Sequence, residues 1–316
     1  MLDERIGVLV MAYGGPDDLS QVEPYLKDVR GGRAVSSAVL SEVYERYRKI
    51  GGCSPILRRT QAQAQALQTA LNAEGHAPFH AYVGMRHWHP YIAETLEHMA
   101  AEGIRHAVGL VMAPHYSRMS IGEYYKRVEQ VQSPVELARI DRWHLLPGYL
   151  DALARHVRAG LERFPPAVRD QVLILFTAHS LPQRILDWHD PYPGELQATV
   201  TAVMQRLGSH PHAFAYQSAA LTPEPWLGPD ASALIKQYAS EGRSNVLIAP
   251  IGFVSEHVEI LYDIDIEYQR LARQYGAHLE RIEMLNTAPE MMRDLAGLVR
   301  ATVIERGWIW SNNAIL

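Results

Sequence analysis

Two apolar runs in this chain end in a side chain that can hold a proton or a metal ion. Residues 8–16 read V-L-V-M-A-Y-G-G-P, and residues 172–182 read V-L-I-L-F-T-A-H-S-L-P. In both, Ala closes the run, a donor side chain follows, and Pro lies three residues beyond. Tyr13 therefore takes the place in one copy that His179 takes in the other. A phenol oxygen and an imidazole nitrogen from two related halves could approach one ligand from opposite faces. Histidine at a strand end can accept a proton near neutral pH or ligate a metal. Ser180 beside it lacks the G-x-S-x-G surroundings of a nucleophile elbow.

A second constellation lies in G-F-V-S-E-H-V-E-I-L-Y-D-I-D-I-E-Y, residues 252–268. Glu259, Asp263 and Glu267 recur every four residues, with Glu256 just before them. On a helix this stacks carboxylates on one face, each exposed pair costing roughly 0.2–0.5 kcal/mol. No Lys or Arg is interleaved to relieve them. A path for a divalent cation accounts for the pattern; a solvated acidic helix start is the competing reading. Ile260, Leu261, Ile264 and Ile266 between the acids point to burial and favour the path. Basic residues gather in the first half: R-G-G-R (30–33), R-Y-R-K (46–49), Arg86 and K-R (126–127). Beside Tyr47, Tyr124 and Tyr125 they could grip the carboxylates of an aromatic ligand, since guanidinium forks match carboxylates. H-W-H (87–89) could place two imidazoles on one strand face, but the pattern alone is weak and local packing or capping is the favoured reading.

These residues need elements to position them. Short apolar runs predict strands at 6–12, 79–84, 107–113, 139–143, 172–178, 213–217, 245–251 and 278–282. Amphipathic stretches predict helices at 60–73, 90–102, 149–163, 195–207, 230–241 and 260–275. Their alternation predicts βαβ units and parallel sheets. The repeat extends further: 90–114 and 230–250 both run helix, Glu-Gly, strand, Ala-Pro. Gly103 and Gly242 are expected to end their helices in a left-handed conformation. The chain divides near 143–149 into halves 1–144 and 145–316, with the C-terminal helix expected to pack back on the first half. Ligands bind beyond the carboxyl ends of parallel strands. Tyr13, the 114–120 loop, His179 and the 251–259 loop all fall there, so the cleft between the halves is the expected site.

Bulk properties narrow the function. The 316 residues include 47% hydrophobic and 21% charged side chains, ordinary for a globular protein. A net charge of −5 argues against nucleic acid as the main partner. Cys53 is the lone cysteine, which excludes an internal disulfide and a cysteine-only metal or iron–sulfur site. A reducing cytoplasmic setting is expected. Neither a targeting segment nor a run of about 20 apolar residues is visible. No phosphate-binding glycine loop appears, which disfavours a nucleotide enzyme. The apolar tail G-W-I-W-S-N-N-A-I-L (307–316) reads as a packed or frayed end, or as a docking anchor.

The motifs V-M-A-Y-G-G-P, G-G-C-S-P-I, A-P-H-Y-S, T-A-H-S-L-P, Y-Q-S-(x)7-P-W-L-G-P-D and G-F-V-S-E-H-(x)-E-I-L-Y-D-(x)-D resemble those of the ferrochelatases, in order, from about residue 6 to residue 290. The resemblance implies an α/β fold of two Rossmann-like halves with parallel sheets, the class II chelatase fold, around a porphyrin cleft. It implies a lyase that inserts Fe²⁺ into a porphyrin in haem biosynthesis. His179 matches the family's active-site histidine and Glu259 its partnering glutamate. Asp263 and Glu267 match the acidic residues of a metal path, with Arg46 near an outer cation site. Arg30, Arg46, Tyr47, Ser54 and Tyr124 match porphyrin contacts. Tyr13 resembles the monomeric bacterial branch that acts on coproporphyrin III, where Tyr ligates the product iron; the protoporphyrin branch usually has Met. By resemblance, then, coproporphyrin III and Fe²⁺ are substrates. No cofactor is permanently bound, and there is no iron–sulfur cluster. Contacts with neighbouring haem-pathway enzymes are transient. Arg86 stands where some relatives have Lys.

Three other readings compete: a protoporphyrin IX ferrochelatase, a sirohydrochlorin chelatase, and a non-catalytic two-lobed haem or metal carrier. Sirohydrochlorin chelatases lack the A-H-S-L-P and Y-Q-S pairing. A carrier needs neither a proton acceptor at His179 nor a carboxylate ladder.

Overall fold

The structure, a computed structural model, describes residues 5–73, 78–220 and 222–308. Its first half contains β1 (Ile6–Ala12), α1 (Val22–Val29), α2 (Ser37–Lys49), α3 (Ile56–Asn72), β2 (Phe79–Met85), α4 (Ile92–Ala101), β3 (His106–Val111), α5 (Ile121–Glu129) and β4 (Glu136–Ile140). The second contains α6 (Pro147–Leu161), α7 (Pro166–Arg169), β5 (Leu173–His179), α8 (Tyr192–Leu207), β6 (His212–Gln217), α9 (Ala231–Ser240) and β7 (Asn245–Pro250). A π-helix (Glu259–Tyr268), α10 (Gln269–Gln274), β8 (His278–Arg281) and α11 (Pro289–Glu305) complete it.

Each half forms one wholly parallel four-stranded sheet. The orders are β2-β1-β3-β4 and β6-β5-β7-β8, the same topology twice. The internal repeat read from sequence is thus a repeat of architecture. Every residue of β1 is buried, as is all of β5 except His179 at its end. Burial on both faces explains why these strands read as unbroken apolar runs. Gly103 and Gly242 both take φ +80°, the left-handed helix end expected for them.

One predicted strand shifts. The expected run 139–143 forms a strand at Glu136–Ile140 instead. Trp143 lies past its end, with its indole N–H donating to the Val111 carbonyl at 3.0 Å. Its apolar ring belongs to the core but not to the ladder. The predicted helix 260–275 is also two elements, the π-helix and α10.

The largest apolar cluster spans both halves. Ile6, Val8 and Leu67 of the first half share one cluster with Val157, Phe176, Leu247 and Leu295 of the second. The C-terminal α11 packs against both α6 and α3. Arg300 on α11 donates to the Ala70 and Leu71 carbonyls at 2.8 and 2.9 Å. These are orphan acceptors at the end of α3. Trp308 stacks on His106 with ring centroids 4.8 Å apart; the rest of the apolar tail, 309–316, lies outside the described residues. Among the described residues no helix is long and apolar enough to cross a membrane.

Candidate active site

β1 and β5 are central strands of equivalent sheets, so their carboxyl ends deliver Tyr13 and His179 to corresponding places. Both line one cleft, together with Tyr47, Ser54, Arg86, His115, Tyr124, Tyr192, His257 and Glu259. The cleft encloses about 1350 Å³, counting space open to solvent. A separate concavity near Arg105, His106 and Glu136 lies at the amino ends of β3 and β4 and gathers none of these groups.

Two glycine loops shape the first-half wall. A Cβ on Gly15 would sit 2.6 Å from both Cβ and Oγ of Ser54, so only glycine admits this approach. The Ser54 N–H donates to the Pro16 carbonyl at 2.8 Å and ties G-G-P to G-G-C-S-P. In the second half, a Cβ on Gly252 would meet the Ala178 Cβ at 2.8 Å, which lets the 251–258 loop lie against the end of β5.

His179 Nδ1 lies 3.7 Å from Glu259 Oε2, and His257 Nε2 lies 3.7 Å from the same oxygen. The His257 Nδ1–H faces the Ser255 carbonyl at 3.1 Å. A neutral His257 therefore turns its lone pair toward the carboxylate. One proton or cation between them would satisfy both. Burial alone would raise the Glu259 carboxyl; His179, His257 and Arg46 outweigh it and hold the group at about 2. Glu259 is thus ionised throughout the neutral range.

Asp263 behaves in the opposite sense. Burial, reinforced by Glu259, raises it to about 6 against the pull of Ser218 and Arg46. Ser218 adopts φ +59° and donates to Asp263 Oδ2 at 2.5 Å. Glu259, Asp263 and Glu267 are carried on a π-helix, not an α-helix, and arginines relieve the ladder. Arg46 reaches Asp263 at 3.5 Å and also binds Glu42 at 2.7 Å. Arg270 pairs with Glu267, and Arg59 with Glu256. Glu259 is the member of the ladder that lines the cleft. Among the described residues no three His, Cys, Asp or Glu side chains converge to hold a metal on their own.

Tyr13 is 38% exposed, facing the cleft. Burial raises its phenol to about 12, Arg86 opposes this, and Glu259 and Asp28 add to it. The Arg86 guanidinium carbon lies 5.7 Å from the Tyr13 ring and 5.5 Å from the Tyr124 ring. The His87 ring is 4.6 Å from Tyr13, and His87 Nδ1 meets Asp28 Oδ2 at 2.8 Å. Burial outweighs Asp28 and pushes His87 down. H-W-H does not align two imidazoles: His87 is buried, whereas His89 is exposed and pairs with Glu94.

Tyr13, Tyr47, Ser54, Tyr124, His179 and Glu259 are therefore brought together. Arg30, Arg46, Asp263 and Glu267 do not line the cleft. Arg30 lies in the turn after α1, its carbonyl accepting from Arg33. Sequence reasoning grouped Arg86 with the basic residues that could grip carboxylates, and left His115, His257 and Tyr192 without a role. His257 stood inside the acidic motif and was the most findable. His115 is buried, with Nε2 2.8 Å from the Thr199 hydroxyl of α8. Tyr192 donates to the His179 carbonyl at 2.9 Å. Only tertiary contact reveals these last two.

A family model described as ferrochelatase matches residues 5–303. The chain belongs to the ferrochelatase family. A protein named ferrochelatase from Herpetosiphon aurantiacus is 42% identical, covering 91% of this chain and 96% of its own length. Another of that name, from Deinococcus radiodurans, is 42% identical over 95% of this chain and 96% of its own. A coproporphyrin III ferrochelatase from Oceanobacillus iheyensis is 38% identical over 95% and 97% respectively. Among solved structures, SirB from Bacillus subtilis with Fe³⁺ superposes with a TM-score of 0.56 at 9% identity, covering 96% of this chain and 98% of that one. The ferrochelatase-family chain thus has the two-sheet fold of SirB.

Proposed function

We propose that this chain inserts Fe²⁺ into coproporphyrin III, with His179 and Glu259 as the chemical pair and Tyr13 as the ligand of the product iron. Family membership gives the coarser statement, iron insertion into a porphyrin. Relatives of both names lie at similar identity, so the choice of porphyrin rests on one observation: position 13 is Tyr and opens onto the cleft shared with His179.

Two pyrrole protons leave the ring for each Fe²⁺ that enters. A neutral His179 accepts one, passes it to solvent and then accepts the second; the ionised Glu259, 3.7 Å away, stabilises the imidazolium each time. Fe²⁺, a substrate and not a resident cofactor, approaches past Asp263 and Glu259 and exchanges water for protein ligands before the pyrrole nitrogens take it. Gripping the propionates bends the macrocycle toward the inserted geometry, a distortion on the order of 1–5 kcal/mol drawn from remote binding. The Tyr13 phenol stays protonated at neutral pH in the free protein. Iron in the product displaces that proton, as bound metal ions do for their oxygen ligands.

The test compares coproporphyrin III with protoporphyrin IX anaerobically, following loss of the four-banded free-base spectrum. Wild type should favour coproporphyrin III in kcat/KM by about 100-fold or more, and Tyr13→Met should narrow the gap. Preference for protoporphyrin IX would overturn the substrate. Persistence of the free-base bands with both would overturn catalysis in favour of a carrier.

A further inference from the structure

The resemblance assigns porphyrin contacts to Arg30 and Arg46, yet neither lines the cleft. Arg46 is already held by Glu42 and Asp263. Arg86 is the only Lys or Arg among the residues lining the cleft. Among the described residues no carboxylate pairs with it, and its buried Nε has no hydrogen-bond partner. It sits at the end of β2, between the rings of Tyr13 and Tyr124. A partly buried guanidinium without an anion is costly, and two aromatic faces offset only part of that cost. Its planar fork matches a carboxylate.

We infer that Arg86 is a specificity-determining residue, binding one propionate of the macrocycle inside the cleft beside Tyr13. This rests on the porphyrin reading above. Coproporphyrin III carries a propionate on every pyrrole, so whichever edge enters the cleft brings a carboxylate to Arg86. Protoporphyrin IX carries its two propionates on adjacent pyrroles. If that edge faces the solvent-side lip, the inner edge presents only vinyl and methyl groups, and Arg86 stays buried without an anion. Arg86 thereby favours the four-carboxylate substrate and penalises the other, the two components of discrimination.

The test uses the full chain and steady-state insertion with both porphyrins. Arg86→Met should raise KM for coproporphyrin III by about 10- to 100-fold, as loss of a charged hydrogen bond does. It should leave KM for protoporphyrin IX equal or lower. Arg86→Lys should recover part of the coproporphyrin affinity, because the charge returns without the fork. Equal losses for both porphyrins, or no change for either, would overturn the assignment and make Arg86 structural. A wild type that does not prefer coproporphyrin III would instead sink the substrate reading, before any Arg86 variant is measured.

Discussion

At the scale of single residues, the site separates two carboxylates that look alike in sequence. Glu259 and Asp263 are one helical step apart, yet one is held at about 2 and the other at about 6. The difference lies in their neighbours: two imidazoles flank Glu259, whereas Asp263 is buried against Glu259 itself. Below about pH 6 Asp263 gains a proton and no longer attracts a cation. Insertion at limiting Fe²⁺ should therefore fall as pH drops through 6. Asp263→Asn should be uniformly slow and lack that acid limb; an unchanged limb would assign it to another group. The sign for folding is the reverse. Asp263 is raised above its ordinary 3.8, so its stabilising contribution is complete below that value and lost as pH rises through about 6. His179→Ala should cut insertion by about 10²–10⁴-fold while porphyrin fluorescence quenching still reports binding. Parallel loss of binding would show that His179 holds the macrocycle rather than its protons.

At the scale of elements, the strand ends were readable and the helix carrying the acids was not. Spacing of four marks a helical face but does not distinguish i→i+4 from i→i+5 hydrogen bonding. The observed π-helix belongs to a type enriched at functional sites. It keeps Ile260 and Ile264 buried while Glu259 stays at the cleft. The missing Lys and Arg within the ladder pointed toward a cation path, but tertiary structure supplies arginines from α2 and α3, and Arg270 lies three residues past Glu267. The glycine loops invite a direct test. Gly15→Ala places a methyl 2.6 Å from Ser54 and should push it from the cleft. We expect a rise in porphyrin KM of about tenfold with the fold retained, checked by circular dichroism, since overpacking costs about 1–3 kcal/mol. An unchanged KM would show that Ser54 does not set the wall.

At the scale of the whole molecule, one core joins two sheets and α11 closes it. Arg300→Ala removes a donor from two carbonyls at the end of α3 and should destabilise by about 1–3 kcal/mol. A lowered urea midpoint with unchanged KM would confirm that this contact serves stability; a KM effect would extend its reach to the cleft. The sequence by itself determined the fold class, the internal repeat and the strand-end places of Tyr13 and His179, because each is written in contiguous residues: a buried run, a donor, a turn. It could not show that Arg86 has no carboxylate partner among the described residues or that Arg46 is occupied. Those facts concern partners up to 200 or so residues apart, as Arg46 and Asp263 are. Pairing and burial depend on distance in space, and only the folded chain fixes which charges meet and which is left for the ligand.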